Sequence, residues 1–112
     1  EFVEIQGAIE AVHVNRDIHS YIVQIVAKAR ADRRVQLGAS PRGSLALFKL
    51  SRSRAMMQGR DFVTPDDVKA VAVPALAHRV LLRPELWAER ISGETVVQDA
   101  LDGVPVPKAE WR

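Results

Sequence analysis

Gly38-Ala39-Ser40-Pro41-Arg42-Gly43-Ser44 reads as the start of a helix. Ser40 supplies an N-cap hydroxyl that accepts from an orphan backbone N–H, and Pro41 suits the first helical position, where no donor is needed. Arg42 then sets a fixed positive charge in a first turn whose dipole is already positive, at a cost of roughly a few tenths of a kcal/mol unless an anion is near. Backbone donors and a guanidinium together make a phosphate clamp. The residues alone leave two readings open: that clamp, or a plain helix start carrying a solvated charge. The glycine spacing also approaches a P-loop, but that pattern next requires Lys and then Ser or Thr. Position 44 is Ser, so no lysine reaches a β- or γ-phosphate from here.

Downstream, Leu45, Ala46, Leu47, Phe48, Leu50, Ala55 and Met56 populate nearly every direction around the helix axis, which predicts the buried centre of a bundle. Arg42 and Lys49 are its polar exceptions, two turns apart on nearly one line. Gly59-Arg60-Asp61 supplies a turn. Thr64-Pro65-Asp66-Asp67 then combines an N-cap, a first-position proline and acids in the first turn, with Asp67 in the reciprocal place of a capping box. Val68, Val71, Ala72, Ala75 and Leu76 give the helix that follows one apolar face, and Pro74 predicts a kink or an early end. The pattern breaks from Arg79 to Arg90 into extended or irregular chain around Val80-Leu81-Leu82, with room for a small ribbon near residues 79–91. Ser92 caps a last short helix with Val96, Val97, Ala100 and Leu101 inward, and Val104-Pro105-Val106-Pro107 cannot be helical.

Upstream, Ile5, Ala8, Ile9 and Val12 share helical spacing over Val3–Val12. Asn15 caps the most regular amphipathic helix of the chain, where Ile18, Tyr21, Ile22, Ile25, Val26 and Ala29 recur on one face. Arg30 to Gly38 reads as a polar loop. The expectation is an all-α fold, a small bundle of four to five helices.

Composition narrows the function. At 112 residues and 47% hydrophobic the chain can bury a modest core, and it has no cysteine, hence neither a disulfide framework nor a thiolate metal site. No apolar run approaches the roughly 18 residues that span a bilayer, and the expected location is the cytoplasm. The net charge of +2 hides an asymmetry: Lys28 to Arg60 holds nine basic residues against the single acid Asp32, a local charge of +8 that leaves the remainder at −6. Such a domain suits an anionic partner, whether nucleotide, nucleic acid or acidic protein, although a solvated basic face is the simpler alternative.

Gly38-Ala39-Ser40-Pro41-Arg42, then Gly59-Arg60-Asp61-Phe62-Val63-Thr64-Pro65-Asp66-Asp67-Val68-Lys69-Ala70, His78-Arg79-Val80 and the closing Val104-Pro105-Val106-Pro107 resemble, in order and spacing, the C-terminal lid of a MoxR-type AAA+ ATPase. The resemblance implies that residues 1–112 are a small α-helical lid domain of a larger ATPase, lying beside a nucleotide held by an α/β base domain that this sequence does not contain. It implies that Arg42 is the sensor 2 arginine on the γ-phosphate, with Ser40 and Pro41 flanking the ATP, and that Mg2+ is held by the base domain. It further implies coupling of ATP hydrolysis to movement in a chaperone-like homo-oligomeric ring, a hexamer, with von Willebrand A domain proteins as partners. Gly43 departs from the family, which more often has Ala there. The fragment, lacking a Lys-bearing phosphate loop and an Asp-Glu strand for magnesium, is expected neither to hydrolyse ATP nor to bind it tightly.

Other constellations carry less. His13, His19 and His78 lack ligand spacing, so no metal site is expected. Asp66 and Asp67 are accounted for by capping, and Ser44, Ser51 and Ser53 have no histidine and acid arrangement beside them. Met56 and Met57 read as core, and Trp87 and Trp111 as packing or docking residues. The alternative function is a basic helical nucleic-acid-binding module, helix-turn-helix or histone-like, for which Lys28 to Arg60 would supply the phosphate contacts.

Overall fold

The computed structural model describes residues 11–37, 41–84 and 92–107. Asn15 opens the first helix, α1 (Arg16–Ala31), by accepting the Asp17 amide at 2.7 Å. The stripe read from the sequence, Ile18, Tyr21, Ile22, Ile25, Val26 and Ala29, is buried. Asp32 ends the helix in an extended conformation, its N–H returned to the Ala29 carbonyl. Of the helix expected over Val3–Val12, residues 3–10 lie outside the described set, and Ala11 and Val12 form a turn and a bend.

The expected polar loop from Arg30 to Gly38 instead contains a strand, β1 (Val35–Leu37). Its antiparallel partner is β2 (Leu81–Leu82), with Val35 opposite Leu82 and Leu37 opposite Leu81 across an irregularity. The ribbon anticipated near residues 79–91 therefore exists at its N-terminal edge, but its other half comes from far upstream. Three residues of Val-Gln-Leu carry too short an alternation to declare a strand without the distant partner that completes the ladder.

Helix α2 (Pro41–Met57) ends on Gly59, whose φ of 76° is the one positive value among the described residues. The Gly59 N–H bonds to Met56 O at 3.0 Å and the Arg60 N–H reaches back to Ala55 O at 2.9 Å, the paired closure that a left-handed glycine permits. Helix α3 (Pro65–Leu76) starts at Thr64 and passes through Pro74 for two further residues before tightening into a 3-10 turn at Ala77–Arg79. Ser92 caps α4 (Gly93–Gly103), accepting the Thr95 amide at 3.4 Å. Val104 leaves the helix in an extended conformation, and Pro105 to Pro107 continue without regular structure.

The four helices of the described residues share one core, with α3 packed between α2 and α4, and α1 laid against all three. The core is not centred on α2, contrary to the sequence expectation. Among the residues of α2 whose side chains are described, Gly43, Leu47, Ser51 and Ala55 are buried, one per turn, while Leu45, Leu50 and Met57 are 53%, 42% and 81% exposed. Its packing partners α3 and α1 cover one side. Three of the four inward residues are small, and of the other apolar side chains Phe48 and Met56 are half-buried against the core while Leu45, Leu50 and Met57 face outward. Met57, read as core, is thus a surface residue, and Met56 is half-buried against the core.

Candidate functional site

Arg42 is the second residue of α2, exposed, in a first turn without an acidic residue. Pro41 is the first residue of that helix, and Ser40, the expected cap, lies outside the described residues with Gly38 and Ala39. The positive end of a 17-residue helix and a guanidinium are therefore placed together at the surface. Lys49, two turns on, is also exposed. Gly43, by contrast, is buried, so the first turn is pressed onto the domain on one side and presents Arg42 on another.

The C-terminal half of α2 shows the opposite arrangement. Asp67, read as a cap, has no exposed side-chain area and gathers two arginines. Arg60 grips it with both terminal nitrogens, Nη1 to Oδ2 at 2.5 Å and Nη2 to Oδ1 at 2.7 Å, and Arg54 Nη1 adds a bond to Oδ1 at 2.7 Å. The Thr64 N–H donates to Oδ2 at 2.8 Å, completing the capping box. Burial by itself would raise the Asp67 pKa, yet the hydrogen bonds from Arg60, Thr64 and Arg54 outweigh it and hold the carboxyl below its ordinary value. One residue thus fastens α2, the turn after it and the start of α3. Nothing in local sequence distinguishes this role from capping, because both arginines are brought in by the tertiary fold.

The basic run is diminished in a second place. Arg34 binds Asp32 through Nε at 2.9 Å and Nη2 at 2.7 Å, and reaches Asp99 of α4 at 2.8 Å. The Arg34 hydrogen bonds, opposed by burial, lower the Asp32 pKa. Three of the nine basic residues between Lys28 and Arg60 are therefore occupied by Asp32, Asp67 and Asp99.

The remaining candidates do not converge. His13 is exposed and held by its backbone, its N–H to Asp61 O at 2.8 Å and its carbonyl accepting from Val63 at 2.9 Å. The His19 ring stacks on Phe48 at 4.8 Å, and His78 is exposed in the 3-10 turn. Among the described residues no three histidine or acidic side chains are grouped for a metal, and no helix is long and apolar enough to cross a membrane. Ser51 is buried, and Trp87 and Trp111 lie outside the described residues. An open cleft of about 460 Å³ between the end of α3 and the start of α4 is lined by Val73, Pro74, His78 and Glu94 and is separate from Arg42.

A helical bundle of this size with a short antiparallel ribbon agrees with the class of small lid domains. The chain matches the AAA lid domain family over residues 27–100 and belongs to it, as a lid of the MoxR type. It is 41% identical over 107 residues to the uncharacterised protein YeaC of Bacillus subtilis, an alignment covering 96% of this chain and 33% of that one. It is 33% identical over 113 residues to the chaperone MoxR1 of Mycobacterium tuberculosis, covering 89% and 30%. The crystal structure of a protein from Cytophaga hutchinsonii assigned as an ATPase superposes with a TM-score of 0.88 at 30% identity, over 95% of this chain and 35% of that one. The chain thus spans about a third of the length of these relatives.

Proposed function

We propose that this domain works as the lid of a MoxR-type AAA+ ATPase and that Arg42 is its sensor 2 arginine, meeting the γ-phosphate of ATP held by a separate nucleotide-binding domain. The observation that carries the reading is the place of Arg42: exposed, in the first turn of a 17-residue helix, at the end where the backbone amides are free and the turn holds no acid. Phosphoryl transfer depends on positioning and charge stabilisation, and a cation delivered from another domain acts like an arginine finger. ATP supplies the transferable phosphoryl group, with Mg2+ on the nucleotide-binding domain. On this chain Pro41 and the first-turn amides would orient the phosphate end, with Ser40 capping, and Arg42 would register the γ-phosphate. Loss of that contact after hydrolysis would let the lid move as a body, coupling turnover to a ring of subunits, a hexamer in the cytoplasm whose partners include von Willebrand A domain proteins.

The nucleic-acid alternative has less behind it, since its basic run spends three arginines on internal acids. Arg42→Ala in the parent ATPase is expected to lower kcat by about tenfold or more with a smaller change in nucleotide affinity, and Arg42→Lys to recover only part, because lysine lacks the planar fork. Unchanged turnover in Arg42→Ala would overturn the assignment. The isolated chain, titrated with ATP and followed by amide shifts, should respond weakly and only around residues 41–43.

A further inference from the structure

We propose that Arg54 is a positioning residue for Arg42: its bond to the buried Asp67 carboxylate fixes the roll of α2 about its own axis, and with it the place of the guanidinium at the other end of the helix. The proposal rests on the assignment of Arg42 to the γ-phosphate. Positions 43 and 54 are separated by about three helical turns plus about 20°, so they share one line along α2. Gly43 is buried beside Arg42 at one end of that line, and near the other Arg54 Nη1 donates to Asp67 Oδ1 at 2.7 Å.

The acceptor is itself held against turning. Asp67 has no exposed side-chain area. Its Oδ1 also takes Arg60 Nη2 at 2.7 Å, while Oδ2 takes Arg60 Nη1 at 2.5 Å and the Thr64 N–H at 2.8 Å. Arg60 in turn is closed onto the end of α2 by its own N–H, which reaches Ala55 O at 2.9 Å. Directional bonds therefore join the last turns of α2 to the start of α3.

Angle matters at Arg42. Side chains stand about 5–6 Å from a helix axis, so a roll of about 10° carries a guanidinium sideways by about 1 Å. Misplacement of that size at a reacting centre can lower a rate by about a hundredfold. Stability alone does not call for such a cluster, because the attraction between buried charges is largely offset by their desolvation, and apolar groups of equal volume often hold a fold as well. What the charged bonds add is a fixed geometry between the two helices.

The test is a double-mutant cycle in the parent ATPase, with kcat and KM for ATP measured separately and circular dichroism checking the fold. Arg54→Gln is expected to lower kcat about fivefold with KM changed less than about twofold, and Arg54→Lys, which still offers one donor, to recover most of the loss. In an Arg42→Ala background the same Arg54→Gln should have almost no effect on kcat, since no guanidinium is left to misplace. Asp67→Asn, which keeps the side-chain volume, repeats the cycle from the acceptor's side. Val97→Ala is the structural control: it trims a buried side chain on α4, which packs on α1 and α3, and should leave kcat within about twofold. Equal fold-losses from Arg54→Gln with and without Arg42, or a loss in Val97→Ala as large as in Arg54→Gln, would overturn the positioning role and leave the Arg42 assignment standing. Unchanged turnover in Arg42→Ala alone would remove that assignment and the positioning role with it.

Discussion

At its C-terminal end α2, with the turn that follows, sends Arg54 and Arg60 inward onto Asp67; at its N-terminal end Arg42 stands at the surface of a first turn that contains no acid. The side chain is the same and the uses are opposed. Where a carboxylate is buried with every acceptor engaged, arginine is an anchor whose removal costs stability. Where arginine is displayed against the helix dipole, its charge costs the fold slightly unless an anion lies near it. Charge counted along the sequence does not separate the two, but burial does.

The comparison breaks most directly at Asp67. Asp67→Ala leaves two guanidinium groups without their shared acceptor and opens the capping box, and should destabilise the domain by about 2–4 kcal/mol, read by urea unfolding followed by circular dichroism. A loss under about 1 kcal/mol would mean that the cluster is ornamental. Next, Arg60→Ala should cost about 1.5–3 kcal/mol and Arg54→Ala less, since Arg60 provides the two-pronged grip and Arg54 a single bond.

Acid sharpens the contrast. The folded-state pKa of Asp67 lies below its unfolded value, so its contribution is present above about pH 3.9 and is lost as the pH falls through the lower folded value. Asp32 has the same sign. Stability measured from pH 6 to pH 2 should therefore fall steeply at the acid end, Asp67→Asn should flatten that fall, and Arg42→Ala should leave its shape alone. The smallest effect belongs to Arg42: Arg42→Ala should alter the stability of the isolated domain by no more than about 0.5 kcal/mol. A substantial loss would show that Arg42 is a structural anchor like the other two.

What could be read in advance was what is local. Asn15, Ser92 and the Thr64-to-Asp67 box mark helix starts through bonds made within three residues, and the stripe from Ile18 to Ala29 repeats often enough to fix its inward face. What could not be read depends on distant partners. β1 needs β2, and Asp67 needs Arg54 and Arg60. The burial of α2 depends on how many neighbours cover it, which its apolar content overstates: Leu45, Leu50 and Met57 have the composition of core and the position of surface. At the candidate site, Ser-Pro-Arg is a local signal that marks Arg42 in the sequence, whereas the ion pairs of Arg34, Arg54 and Arg60 depend on acids that the fold brings to them.

The narrow inward edge of α2 has a mechanical consequence. A helix resting on glycine, serine and alanine, with one leucine among them, has little side-chain slack in which to slide, and its far end is pinned by the buried carboxylate. If Arg42 is the phosphate contact proposed above, a tug on its guanidinium would be passed on as rotation of the whole domain instead of being dissipated as shear between neighbouring rods.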